Sequence, residues 1–411
     1  MSALVEIVFP HRLGRPFRRL VSASWTSNIG DGIAIAAGPL LVASQTDSAF
    51  LVALAAMLER LPWLVFGLWA GVLADRLDRR AVVVVANLVR AGVIALLVGF
   101  IATGSVSIAV VLVAMFLWGT AEVFADTTQQ TLLPMLVEPK DLGTGNQRLQ
   151  AGFLTANQFV GPPVGAFLFA AGMVWPFVVQ VVSVALAVVL VSRVRLPDVE
   201  PRAGRTHVRQ DMAEGFRWIW HHKPVRTLAL VILTFNVTWA APGAILVKYA
   251  LDHLHMSEVE YGLLTTAGAV GGIIGTVAYG WLERHVALAT LMRVCLTLEV
   301  LYHAAFALAS TAWVALLIMG VFGVYAFVWG TLSTTVRQRA VPREFQGRVG
   351  SIYMICVFGG IALGQLLGGV IAEHWGLVAP WWFACAGAGV TLALVWRSLT
   401  NIAHAGAVRD S

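Results

Sequence analysis

The chain has 411 residues, 58% of them hydrophobic and only 12% charged, with a mean hydropathy of +0.79. A soluble domain carries roughly a quarter of its residues as charges, so this composition excludes a soluble globular protein and predicts one embedded in a membrane. The formal net charge of +6 raises nucleic acid as a partner. The placement of the basic residues, taken up below, removes it.

The N-terminal segment is polar and basic up to Val21, with Arg12, Arg15, Arg18 and Arg19. It lacks the pattern of a cleavable signal peptide, which leaves the first span as the membrane address. Apolar runs of about 20 residues follow, each long enough to cross about 30 Å of hydrocarbon. They lie at 20–43, 49–73, 81–102, 106–130, 149–171, 174–192, 227–250, 259–283, 286–308, 312–335, 349–372 and 378–397, predicting an all-α protein of twelve spanning helices. The runs are continuous, not alternating, which excludes a β-barrel.

Alternate loops collect the cations. One side holds the N-terminal arginines, Arg76, Arg79, Arg80, Lys140, Arg148, the basic stretch from Arg193 to Arg226, Arg284, Arg293, Arg337, Arg339, Arg343, Arg348, Arg397 and Arg409. The other side holds Lys248. By the positive-inside rule both termini are cytoplasmic and the basicity is topological. The expected location is the inner (cytoplasmic) membrane, with the lipid bilayer and a small-molecule substrate as partners and no nucleic acid.

Span one carries Asp31 at mid-depth, about 18 Å from its cytoplasmic end at about 1.5 Å per residue. Glu59 and Glu122 come out at similar depth in spans two and four, and Arg90 slightly shallower in span three. Asp126 lies one turn from Glu122 on the same face. Ionisable residues at such depth are costly and are functional candidates. Glu59 is expected to pair with Arg90 because their helices are antiparallel neighbours, leaving Arg60 for Asp31. Two readings stay open for this layer: proton carriers, or a static neutralised network.

Between spans two and three runs Gly71-Val-Leu-Ala-Asp75-Arg76-Leu-Asp78-Arg79-Arg80. Gly71 is read as the point where another helix approaches closely, Asp75 as an acceptor at a helix end, and the arginines as cytoplasmic anchors. Span five holds Asn157-Gln-Phe-Val-Gly161-Pro162-Pro163-Val-Gly165, in which proline bends the helix and glycine permits tight packing. The polar segment 193–226 divides the chain, with an amphipathic helix predicted from Val208 to His222. The expected organisation is a six-helix bundle over 1–192, this cytoplasmic linker, and a second bundle over 227–411. Pro139-Lys140-Asp141-Leu142 is echoed by Pro342-Arg343-Glu344-Phe345 about 200 residues on, each followed by an arginine and a glycine-rich helix. Parallel repeats of this kind belong to the major facilitator architecture.

The Gly71–Arg80 loop resembles the major facilitator loop signature, and Gly161–Gly165 resembles that family's antiporter signature. Asn28-Ile-Gly-Asp31-Gly32, Leu61-Pro-Trp, Glu122 through Pro134, and Arg217-Trp218-Ile-Trp-His-His-Lys-Pro are similar to the branch of enterobactin-type siderophore exporters and macrolide-efflux permeases. Two departures stand out: Asp78 replaces the usual second glycine, and Glu122 stands where many proton antiporters carry an arginine. The resemblance implies export of drugs, macrolide-like compounds or siderophores by alternating access with proton antiport, by a protein acting as a monomer. An importer or facilitator of the same fold, and less so a membrane enzyme, are the alternatives. It implies that Asp31 and Glu122, with Asp126, face the cavity as coupling residues. It also implies that Asp75 with Gly71, Arg76, Arg79 and Arg80 engages Arg348 at the start of span eleven as a conformational switch.

In the second half, Asn236 and Trp239 of span seven and Tyr325 and Trp329 of span ten are candidates to line the substrate cavity. Glu299 and His303, one turn apart in span nine, read as a local structural pair. Gly268, Gly271, Gly272 and Gly275 in span eight read as a packing stripe. No phosphate-binding Gly-x-x-x-x-Gly-Lys loop and no metal-ligand cluster occurs. The expected energy source is the proton gradient, without a cofactor. Cys295, Cys356 and Cys385 all fall in apolar runs and read as small core residues.

Overall fold

The computed structural model describes residues 11–194, 196, 208–342 and 345–403. Arg205, Arg343, Glu344 and Arg409 lie outside the described residues, as does the side chain of Asp75.

Among the described residues every regular element is helical. Helix α1 is Gly14–Gln45, α2 Ala49–Arg76, α3 Arg79–Ala102 and α4 Ile108–Gln129. Helix α5 is composite: Leu142–Gly152, a π-helical stretch Phe153–Val160, then Gly161–Ala171. Helix α6 is Trp175–Ser192, and the linker helix is Val208–His221, close to the expected amphipathic helix. There follow α7 Lys223–Gly243, α8 Glu258–His285, α9 Leu288–Leu308, α10 Ala312–Ala340, α11 Gln346–Trp375 and α12 Ala379–Val395.

Among the described residues nine helices, α2 to α4 and α6 to α11, are long and apolar enough to cross a membrane. Helices α1, α5 and α12 stand at the remaining three expected positions. Val277 of α8 is 79% exposed, Leu394 of α12 77% and Leu308 of α9 72%. Apolar side chains so placed have hydrocarbon as their natural solvent.

The chain falls into two compact units. One comprises 1–47, 58–204 and 257–266, the other 48–57, 205–256 and 267–411. In the first, α1 packs on α5 and α6, and α3 packs on α4 and α6. In the second, α7 packs on α11 and α12, and α9 packs on α10 and α12. The pairings are the same, shifted by six helices, so the sequence repeat is a repeat of structure.

The close contacts repeat as well. A Cβ on Gly161 would stand 2.5 Å from the backbone of Gly32, and one on Gly165 would overlap the Ile33 carbonyl oxygen. About 200 residues on, a Cβ on Gly364 or Gly368 would overlap the carbonyl oxygens of Val237 and Ala241. Within each unit the fifth helix is thus pressed backbone to backbone against the first, which only glycine allows. In α8 the expected packing stripe is present, since Gly271 and Gly275 lie against the carbonyls of Gly320 and Val324 in α10.

Lys248, expected in a loop, is instead buried in a short helical turn, Leu246–Lys248, and pairs with Asp252 at 3.0 Å. Burial of its long apolar stem alongside a helical ion pair takes it out of the loop.

Candidate functional site

The mid-depth charges gather in the first unit. Asp31 on α1 is half-buried and its Oδ1 takes a hydrogen bond from the Arg90 guanidinium of α3, whose side chain is 1% exposed. Ser27, one turn earlier, donates to the other carboxylate oxygen at 3.1 Å. The Arg90 guanidinium also lies over the Trp118 ring of α4, 5.7 Å from its centroid.

This pairing corrects the sequence expectation. Arg90 takes Asp31, not Glu59, and Arg60 takes its own neighbour Glu59 at 3.1 Å. The reason is packing. Helices α1 and α3 share α6 as a neighbour, and the arginine stem is long enough to reach across that shared face. Glu59 meanwhile lies against α4, where a Cβ on Gly119 would overlap the Glu59 carbonyl oxygen.

Glu122 acts electrostatically on Asp31, Glu59, Arg60 and Arg90, and Asp126 on Arg60 and Arg90. Asp31, Glu122 and Asp126 are therefore brought together in one cluster, with Glu59. Four carboxyl groups share this cluster with two guanidiniums. Asp31 and Glu59 hold the arginines. Among the described residues no guanidinium reaches Glu122 or Asp126 within salt-bridge distance.

The composite helix α5 is the wall behind Asp31. Gly32 sits against the π-helical stretch, where its Cβ would be 2.5 Å from the Ala156 carbonyl oxygen and 2.7 Å from that of Asn157. Pro162 and Pro163 begin the α-helical part just after that stretch. Proline removes backbone donors there, and the widened π turn gives the backbone of α5 the shape that meets α1. Gly161 and Gly165 thus lie directly against the Gly32–Ile33 backbone next to Asp31.

At the Gly71–Arg80 loop the structure differs in one respect: a Cβ on Gly71 meets no described heavy atom within 4 Å, so no close helix approach occurs there. Asp78 caps α3, accepting from the backbone N–H groups of Arg80 at 2.9 Å and Ala81 at 3.3 Å. That accounts for an aspartate in place of glycine, since Asp is a preferred N-cap. Arg79 donates to the Ala74 carbonyl at 3.1 Å and Arg80 to that of Val194 at 3.4 Å, while Arg76 is exposed. In the second unit Arg348 pairs with Glu214 of the linker helix at 2.9 Å, and Gly215 lies against the Arg348 backbone.

Asn236, Trp239, Tyr325 and Trp329 all line one open cavity of about 260 Å³, bordered by α7, α9 and α10 of the second unit. Glu299 lines it too. Tyr325 donates to Glu299 Oε2 at 2.8 Å, and His303 Nε2 stands 3.2 Å from Oε1. The expected local pair is present, yet its carboxylate opens on the cavity, which helical spacing alone did not indicate. The signal available was positional, because α9 and α10 repeat α3 and α4, the helices that present Arg90 and Glu122.

The family model described as transmembrane secretion effector matches residues 10–408. The chain belongs to that family, within the major facilitator transporters. It is 28% identical to the multidrug efflux pump Tap of Mycolicibacterium fortuitum over 384 residues, covering 89% of this chain and 91% of that one. Macrolide efflux protein A of Streptococcus pyogenes is 24% identical over 83% of the chain and 86% of its own length. The enterobactin exporter EntS of Shigella boydii is 27% identical, over 86% and 85%. Among solved structures, a bacterial homologue of the iron transporter ferroportin, in an inward-facing state, superposes with a TM-score of 0.75 at 18% identity. The match covers 97% of this chain and 100% of that one. This secretion effector thus has the major facilitator fold expected from its loop and repeat motifs.

Proposed function

We propose that this transporter exports amphipathic small molecules of the drug, macrolide or siderophore kind across the inner membrane, by alternating access and in exchange for protons. The efflux activities named for its relatives support the direction and the substrate class. Twelve spans arranged as two six-helix domains about the 193–226 linker, both termini cytoplasmic, and a monomeric state complete the reading. No cofactor enters it.

One observation carries the proton coupling: the excess of two carboxyl groups over guanidiniums in the Asp31 cluster. A buried charge without a partner is expensive, and a proton is the smallest counter-charge that can come and go. Asp31 is already held by Arg90, so Glu122 and Asp126 are the carriers and Asp31 with Arg90 sets the field around them. Asp75, Gly71 and the loop arginines, with Arg348 opposite, act as the switch between states.

The test is made in inverted vesicles with a radiolabelled macrolide. Glu122→Gln or Asp126→Asn is expected to abolish uphill transport driven by a pH gradient while leaving substrate exchange, which needs no net proton movement. Intact uphill transport in both variants overturns the coupling assignment. Loss of folded protein in both overturns it equally, because a static network is what fails that way.

A further inference from the structure

The two units treat one structural position in opposite ways. In the first, α3 offers Arg90, whose guanidinium pairs internally with Asp31 of α1 and lies over Trp118 of α4. Helices α7, α9 and α10 repeat α1, α3 and α4 by their packing partners. Counted from Leu288, the start of α9, Glu299 stands at the same helix position as Arg90 does from Arg79 in α3, and this carboxylate is only 7% exposed. As Gly165 lies on Ile33 of α1, Gly364 lies on Val237 of α7, so the residue in the place of Asp31 is the apolar Phe235, and Asn236 beside it donates its amide to its own helix at Ile232. Among the described residues no lysine or arginine pairs with Glu299, and its ion-pair neighbour is His303, one turn along the same helix. Both His303 ring nitrogens are buried without a hydrogen-bond partner in the structure, so the 3.2 Å approach does not close as a hydrogen bond.

The cavity beside Glu299 has about 260 Å³, some nine water volumes at about 30 Å³ each. Its walls are aromatic: Trp239 and Phe322 stack with rings 10° apart, and Tyr325 and Trp329 complete the lining. Indole and phenol faces attract cations, tryptophan most strongly. A carboxylate at the wall of an aromatic cavity lacks only the positive charge that the first unit supplies from its own chain.

We propose that this cavity is a binding site for an organic cation, a protonated amine on a flat apolar body, with Glu299 as its counter-ion. Trp239, Phe322 and Trp329 hold the ring system, and Tyr325, donating to Oε2, keeps the carboxylate aimed so that Oε1 meets the ammonium. The space suits one or two fused rings with a short amine arm; a larger substrate would seat that portion here and extend beyond it. The proposal deepens the export reading by naming a substrate class, and it rests on that reading only for transport, not for binding.

The test uses the full-length protein purified in detergent, with two probes of equal shape, 2-(1-naphthyl)ethylammonium and neutral 2-(1-naphthyl)ethanol, titrated by calorimetry. Charge-assisted hydrogen bonds discriminate by roughly tenfold to hundredfold, so the wild type is expected to prefer the ammonium by that factor. Glu299→Gln retains an acceptor for Tyr325 and is expected to bind both probes equally, at the neutral probe's affinity. Ala326→Lys, on the α10 lining beside Tyr325, supplies the cation internally and is expected to abolish ammonium binding; it decides the matter should Glu299→Gln fold poorly. Equal wild-type affinities, no saturable ammonium binding, or a preference surviving in either variant overturns the proposal in favour of a structural Glu299–His303 pair. Binding as expected in a protein that exports nothing would overturn the export reading and leave the site standing.

Discussion

Gly32 offers the sharpest test of the packing behind the Asp31 cluster. Substitution by alanine puts a Cβ 2.5 Å from the Ala156 carbonyl oxygen, 2.7 Å from that of Asn157 and 2.8 Å from the Asn157 Cα. Ordinary contacts between such atoms lie at about 3.5–4.0 Å, so α5 must retreat by about 1 Å. All three obstacles are backbone, and no side chain can rotate away. Overpacking costs about 1–3 kcal/mol, and the rigid neighbour places Gly32→Ala near about 3. Alanine returns about 1 kcal/mol of helix propensity over glycine, leaving a net loss of about 2 kcal/mol. At about 2–4 °C per kcal/mol for a cooperative unit of this size, the melting temperature of the purified protein falls by about 4–8 °C. Gly38→Ala is the matched control on the same helix. Its Cβ meets no described atom within 4 Å, so only the propensity gain remains and melting is unchanged or slightly higher. Transport should fall with Gly32→Ala and not with Gly38→Ala. If both variants melt and transport alike, the backbone contact between α1 and α5 is not as tight as described, and the antiporter-like motif has lost its structural role.

Two further outcomes follow from the charge placement. Arg90→Met strands a half-buried Asp31 carboxylate and should cost about 3–5 kcal/mol, seen as low yield and early melting; adding Asp31→Asn should restore most of it, and a single variant as stable as wild type would show that the pair contributes nothing. For topology, cysteines replacing Asp47 or Ser257 should react with an impermeant thiol reagent on intact cells and one replacing Asp78 should not. Labelling of the Asp78 site from outside would refute the assigned orientation.

The membrane class, the helix positions and the repeat are legible in the sequence because they are properties of one-dimensional patterning. A run of about 20 apolar residues can satisfy its backbone in lipid only as a helix, and the Gly161–Gly165 motif reappears at Gly364 and Gly368 in plain order. That charges would cluster in the first half was legible too, since depth follows from residue count. Their partners were not. Which carboxylate Arg90 takes depends on α1 and α3 both packing on α6, a fact of lateral arrangement that no spacing along one helix encodes. Gly71 reads like a packing glycine and meets nothing, whereas Gly119 and Gly32, less conspicuous in their segments, carry the close contacts. Glu299 and His303 look self-sufficient at one-turn spacing. Only the tertiary structure shows a cavity beside the carboxylate, because a void is defined by what three neighbouring helices leave unfilled.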